Sequence, residues 1–351
     1  MGQIFIGISE GISYVIPPIL AANWFSEKEV GTSIAIEFSA IHAGQMLSSL
    51  LYPLLLNDVL DSSKGRFDSD KVRNVFAMSF GIISSFLIIC VIFVCSYAKN
   101  HPPSPPSASQ EKILNEINQK RTVLSMENIL ESLKKTASHY RNINFVLITI
   151  IVSLDTSYFA MTKVLVTSLL MKTFPDVPET LPGTIRIVGN MLAVFFSVAA
   201  GPLMDRFGRY KLFSALPIAG LIPSCISILL AHHYKCLKAL TFLYPLTMGL
   251  RGFSEVTLVE YLTEVTYPAE KVTLMCAHYI PMLVFQSIFI MVERVLMESF
   301  NETIAIMVPL TASVVSLPML MAVTSVYHRS NVNSYEKTPL QTKQTNKRCI
   351  K

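Results

Sequence analysis

The sequence predicts an all-α membrane protein, a bundle of about nine transmembrane helices. Three observations predict it. Hydrophobic residues make up 51% of the 351 residues and charged residues only 15%, against about 25% charged in soluble domains, and the mean hydropathy is +0.47. Apolar runs of roughly 20 residues, the length that crosses a bilayer as a helix, recur along most of the chain. Between two of them lies a compact charged turn, GPLMDRFGRYK, residues 201–211. In lipid every backbone amide must find a partner within its own segment, so the runs are read as helices and not as strands or loops.

The first span covers residues 2–20, where Pro17 and Pro18 end or kink the helix. A short polar turn follows at 21–30, in which Trp24 and Phe25 suit an interfacial aromatic belt. The second span, 31–56, carries Glu37, His42 and Gln45; the third, 75–97, is almost wholly apolar. Residues 98–141 break the composition. They open on HPPSPPSAS, which cannot be helical, and continue from 111 to 140 as a solvated or interfacial helix. Six more spans are expected at 143–171, 184–203, 212–231, 237–261, 272–295 and 304–326, then a polar, basic, disordered tail. The expected organisation is therefore a partial N-terminal bundle at 1–97, a cytoplasmic central loop at 98–141, a six-helix C-terminal bundle at 142–326 and a cytoplasmic tail at 327–351.

With the 201–211 turn in the cytoplasm, the loops on its side hold most of the Lys and Arg, including Arg206, Arg209, Lys211 and the basic tail. That agrees with the positive-inside rule. The sequon Asn301-Glu302-Thr303 then falls outside, close to the membrane, and Asn301 is a glycosylation candidate.

Several function classes drop out. The net charge of +5 forms no basic stripe with interleaved aromatics, so no nucleic-acid partner is expected. The six cysteines include no C-x-x-C, so neither a disulfide framework nor a zinc site is indicated. His232, His233 and Cys236 lack a fourth ligand and read as solvated loop residues. No G-x-S-x-G, H-E-x-x-H or P-loop is present, so no enzyme, ATP-driven pump, metal or cofactor is expected.

In the charged turn, glycines suit a tight crossing of two helices, and Asp205 suits either a neighbouring cation or the positive end of a facing helix. The spacing of Gly201, Asp205, Arg206, Gly208, Arg209 and Lys211 resembles the signature loop of the major facilitator superfamily. Three further stretches, AANWFSEKEVGTS (21–33), KNHPPSPPSASQ (99–110) and EYLTEVTYPAEKVT (260–273), resemble its heme and choline transporters, the feline leukaemia virus subgroup C receptor-related family. The resemblance implies a secondary transporter working by alternating access on choline, ethanolamine or heme. It also implies a loop that steadies one conformation without touching solute. Members have twelve spans in two halves of six. On these motifs the chain starts at the family's fourth span, lacking about three spans and a first-span tryptophan. An incomplete gene prediction or shortened transcript is expected ahead of a genuine nine-span protein. The alternative reading is a non-transporting fragment that acts through partner association. A small solute and lipid are the expected partners, a monomer the expected state if complete, and the plasma membrane the expected location ahead of an organelle.

Ionisable groups inside spans are functional candidates because they are costly there. Glu37 and His42 sit about 140° apart on a helix. His42 occupies the place where the resemblance implies a solute-contacting glutamine; the bland reading is a buried structural histidine. Asp155 and Lys163 lie about 80° apart on one broad side of their span, toward a cavity or toward ion pairs that pack helices. Tyr158 lies two residues from the family's cavity aromatic, an aromatic face for a cationic headgroup or a packing residue. Gln286 lies about a turn from a family glutamine. Arg251 and Glu255 pair four apart, and Glu260 and Glu264, which match the family, form with Tyr267 and Pro268 a gating or packing element.

Overall fold

The computed structural model describes residues 2–26, 29–57, 69–97, 99, 102, 126–178, 180–267 and 269–324. Among these there is no strand. The helices are α1 (Gly2–Trp24), α2 (Val30–Asn57), α3 (Ser69–Tyr97), α4 (Met126–Ser138), α5 (Ile143–Phe159), α6 (Val166–Thr173), α7 (Leu181–Phe207), α8 (Tyr210–His233), α9 (Leu237–Thr266), α10 (Lys271–Ser299) and α11 (Glu302–Ala322). A wide, π-type turn at Ala160–Leu165 joins α5 to α6, so the expected fourth span runs unbroken but irregular over Ile143–Thr173.

Seven of the described segments are long and apolar enough to cross a membrane by length and composition. The other two expected spans are α1 and α9. In α1, Gly11–Ala21 is an apolar stretch, and Ile4, Phe5, Ile6 and Ile8 extend the apolar sequence toward its start. The Pro17–Pro18 pair does not end that helix, which continues to Trp24; a break there would leave more backbone unpaired than the two missing N–H groups cost. In α9, Lys238, Arg251, Glu255, Glu260 and Glu264 lower the apolar content. That helix is the bundle's centre. Between Thr247 and Thr266 every side chain is buried except Leu250 and Glu255, so it faces other helices and not lipid. By contrast, α3 turns nearly all its apolar side chains outward, Phe80, Phe86 and Phe93 among them.

Two apolar clusters fill the bundle. One gathers Phe38, Phe145, Ile148, Ile151, Met204, Ile218, Phe253 and Val256 toward the 201–211 turn. The other gathers Tyr158, Leu169, Ile185, Leu221, Cys225, Tyr244 and Ile306 toward the opposite end. Along α5, α7, α8 and α9 the chain passes from one cluster to the other near mid-helix. The sequence-predicted charges fall at that divide: Asp155 between Val152 and Tyr158, and Arg251 between Met248 and Phe253.

The expected interfacial helix at 111–140 is observed from Met126 to Ser138; 111–125, the Pro-Ser segment (apart from Pro102) and the tail at 327–351 lie outside the described residues. Its end docks on α10 through His139 Nε2, 3.1 Å from Thr273 Oγ1, and the Tyr140 hydroxyl, which donates to Ala277 O at 2.6 Å. Burial pushes the His139 pKa down and the Tyr140 pKa up. Asn142 caps α5, its Oδ1 accepting from Asn144 N at 3.0 Å.

Candidate functional site

A polar layer lies between the two apolar clusters. From α9, Arg251 reaches α5: its Nε lies 3.5 Å from Asp155 Oδ2. Its Nη1 lies 3.6 Å from Glu255 Oε2, one turn along α9. From α2, His42 Nε2 lies 3.5 Å from the same Glu255 oxygen. The Arg251 guanidinium also sits 5.6 Å from the centre of the Phe159 ring, covering the nearest aromatic face. Asp155 and Arg251 are each under a tenth exposed. Two cations and two carboxylates, shared among α2, α5 and α9, are thus matched in one cluster when His42 is protonated.

Lys163 extends the layer. It sits in the wide turn Ala160–Leu165, the kind of helix defect that concentrates at functional sites. Its Nζ donates to Gln45 Oε1 of α2 at 2.7 Å and to Asn190 Oδ1 of α7. One turn before Asn190, Arg186 donates through Nη2 to Thr167 Oγ1 at 3.2 Å and through Nη1 to Lys163 O at 3.5 Å. The layer therefore bridges α2 to the helices after residue 142 at mid-bundle, with both signs of charge.

Not every sequence candidate joins it. Tyr158 is 1% exposed, inside the apolar cluster away from the 201–211 turn; its hydroxyl donates to Leu221 O at 3.3 Å and lies 2.8 Å from Ser313 Oγ. The ring therefore takes the packing role and offers no face to a solute. Gln286 is buried on α10, and no hydrogen bond or ion pair among the described residues ties it to the layer. Glu37 Oε2 is buried without a hydrogen-bond partner among the described residues, and nothing there links it to His42. Glu260 and Glu264 are each 1% exposed on α9, Tyr267 stands at its C-terminus, and Pro268 lies outside the described residues. Asn301 precedes α11 and is exposed. His232, expected in solvent, is buried: Nδ1 lies 2.9 Å from Thr173 Oγ1 and Nε2 2.9 Å from the Tyr244 hydroxyl. No cluster of three or more His, Cys, Asp or Glu able to hold a metal occurs among the described residues.

Sequence reasoning missed Arg186, Asn190 and Glu293. Arg186 and Asn190 are four apart on α7, a polar pair near the start of a span, which was signal enough. Glu293 is 1% exposed on α10, with neither carboxylate oxygen hydrogen-bonded among the described residues.

The charged turn is a second device. Gly208 ends α7 in the left-handed conformation, φ 61°, with its N–H donating to Met204 O at 2.9 Å. That reversal aims Asp205 at the start of α2. Its Oδ1 accepts from Gly31 N at 3.1 Å, and its Oδ2 accepts from Thr32 N at 2.8 Å and Thr32 Oγ1 at 2.6 Å. Of the two partners foreseen, the helix N-terminus is the one used. Lys211 Nζ donates to Met321 O and Val323 O, both at 2.7 Å, capping the last carbonyls of α11. Arg206 and Arg209 stay exposed. One turn thus clasps α2 on one side and α11 on the other.

Comparison with known proteins agrees with this architecture. The sequence profile of the Major Facilitator Superfamily matches residues 1–280. The human choline/ethanolamine transporter FLVCR2 is 23% identical over 279 residues, 76% of this chain and 48% of its own length. An MFS-type transporter of Caenorhabditis elegans is 25% identical over 277 residues, 78% of this chain and 44% of its own. The zebrafish choline/ethanolamine transporter flvcr2b is 22% identical over 86% of this chain and 59% of its own length. The chain spans about half the length of these relatives. The structure of the proton:xylose symporter XylE bound to 6-bromo-6-deoxy-D-glucose shares the fold, with a TM-score of 0.54 at 17% identity over 88% of this chain and 67% of its own. By profile and by fold, the chain belongs to the Major Facilitator Superfamily, whose members are membrane transporters and not enzymes.

Proposed function

We propose that this protein is a secondary transporter that carries a small organic solute across a membrane by alternating access, with the solute held at the polar layer. The observation that carries the reading is the Lys163–Gln45 contact together with the Arg251–Asp155–Glu255–His42 cluster. Charge placed at mid-bundle, between two groups of helices, is expensive and marks a solute path. The groups that rock are residues 1–97 and 142–326. The turn that clasps α2 lies on the cytoplasmic side and holds the cytoplasmic ends of the two groups together. The named activity of the relatives points to choline and ethanolamine as the solute class, with heme the second class the sequence resemblance raises. The plasma membrane is the proposed location.

Uptake into proteoliposomes containing the purified 351-residue chain tests this. The panel is choline, ethanolamine, their carboxylate and phosphate derivatives, and heme. Accumulation of at least one solute above protein-free vesicles is expected, saturable and abolished by Arg251→Met. A flat response across the whole panel contradicts the transporter reading.

A further inference from the structure

The charges of the polar layer do not balance. Arg251 has two carboxylates within 3.6 Å, Asp155 and Glu255, and Glu255 is shared again with His42. Lys163 and Arg186 have none within ion-pair distance among the described residues. The partners of Lys163 Nζ are two neutral amide oxygens, Gln45 Oε1 and Asn190 Oδ1, which use two of its three N–H donors. Arg186 spends its two terminal nitrogens on a hydroxyl and a carbonyl, while its Nε is buried and without a hydrogen-bond partner among the described residues. The two side chains adjoin, since Arg186 bonds the backbone carbonyl of Lys163 itself. Two adjacent, partly buried cations with donors to spare and no carboxylate at ion-pair distance among the described residues are costly unless something supplies more negative charge. Guanidinium and ammonium groups together are also the usual receptors for carboxylate and phosphate oxygens.

We propose that Lys163 and Arg186 receive an anionic group, a carboxylate or a phosphate ester, carried by the solute. This rests on the reading that the polar layer is the solute site. It narrows the solute from a plain ammonium cation to one that also bears an acidic end. Lys163 and Arg186 both belong to the 142–326 group, and Gln45 of α2 reaches the same Lys163 ammonium from the other group, so the anion would sit at the edge of the interface between the groups.

Glycine betaine and choline form a matched pair for the test, since they share the trimethylammonium and differ in carboxylate against hydroxymethyl. Binding is measured by calorimetry on the full chain in phosphatidylcholine nanodiscs, with phosphocholine as a third ligand. Glycine betaine or phosphocholine is expected to bind about tenfold or more tighter than choline. Lys163→Gln and, separately, Arg186→Gln bring that ratio to about one, whereas Lys163→Arg keeps most of it. A purely structural strut at Lys163 would lower thermal stability and leave the ratio unchanged. Choline binding as tightly as the acidic ligands, or a ratio unaltered in both Gln variants, overturns the proposal and leaves the transporter reading standing. The wild-type ratio decides the matter even if a variant fails to fold. A response to phosphatidylglycerol in the nanodisc, with none to the soluble acids, assigns the two cations to a lipid headgroup and also overturns it. If no ligand binds and the uptake panel is flat, both readings fall.

Discussion

Arg251→Met is expected to cost about 3–5 kcal/mol, the range seen when one partner of a buried ion pair is removed. The substitution keeps much of the side-chain length but leaves Asp155, buried, and Glu255, largely buried, facing each other's charge without the guanidinium. His42 Nε2 remains 3.5 Å from Glu255 Oε2, and offsets that charge only when protonated. The variant should lose its monodisperse peak in detergent many degrees below wild type. The cause is testable by a cycle: adding Asp155→Asn to Arg251→Met should recover a large share of the loss, because it removes one of the stranded charges. If the double variant is no more stable than Arg251→Met alone, the cost lies in packing against Phe159 and not in the ion pairs.

Gly201→Val is expected to be the second-largest effect. A Cβ at this position would lie 2.6 Å from Gly31 O, 2.7 Å from Thr32 Cα and 2.7 Å from Ala35 Cβ. Two of these are backbone atoms and the third is fixed to backbone, so no rotamer change relieves the contact. Helices α2 and α7 must separate. Overpacking of this kind costs about 1–3 kcal/mol. The separation also draws Asp205 away from Gly31 N and Thr32 N, and charge-assisted hydrogen bonds of this type are worth about 1.5–3 kcal/mol. Gly183→Ala is the control on the same helix, since nothing lies within 4 Å of its added Cβ; it should be neutral or slightly stabilising. Thermal unfolding followed by size exclusion distinguishes the two. Equal behaviour of the two variants would mean that the close approach at Gly201 is not what holds α2 to α7.

Much of this molecule is legible in its sequence because lipid allows few alternatives. Long apolar runs must be helices, and their ends are marked by charge, so the expected spans overlap the helices, with ends that differ by up to six residues, as at Ser69. The role of Gly208 as a helix terminator is local and equally legible. Partners are not local. Nothing near Asp205 in sequence says that it caps α2, 173 residues away along the chain from Thr32. The wide turn at Ala160–Leu165 is composed of ordinary helix residues, so a regular helical wheel carries Asp155 and Lys163 onto one side. In the fold the register changes between them, and they meet different neighbours: Asp155 meets α9, and Lys163 meets α2 and α7. Tyr158 stands before the wide turn, in the same regular helix as Asp155, and packs among Leu221, Cys225 and Ser313, away from the divide. Burial in α9 shows the converse. Its charges lower its apolar content below that of the other C-terminal spans, and they are tolerated because most of the side chains from Thr247 to Thr266 are buried against other helices.

In the proposed transport cycle the polar layer opens alternately to the two sides of the membrane, governed by the clasp of Asp205 on α2. A single cysteine at position 45, in a chain otherwise free of cysteine, tests it most directly. Gln45 lies beside Lys163, between the two helix groups. A membrane-impermeant thiol reagent should label it from either side in sided vesicles. Asp205→Asn removes the negative charge that accepts Gly31 N and Thr32 N and should raise the rate from the cytoplasmic side and lower it from the other. Labelling from one side alone, unmoved by Asp205→Asn, would contradict the account.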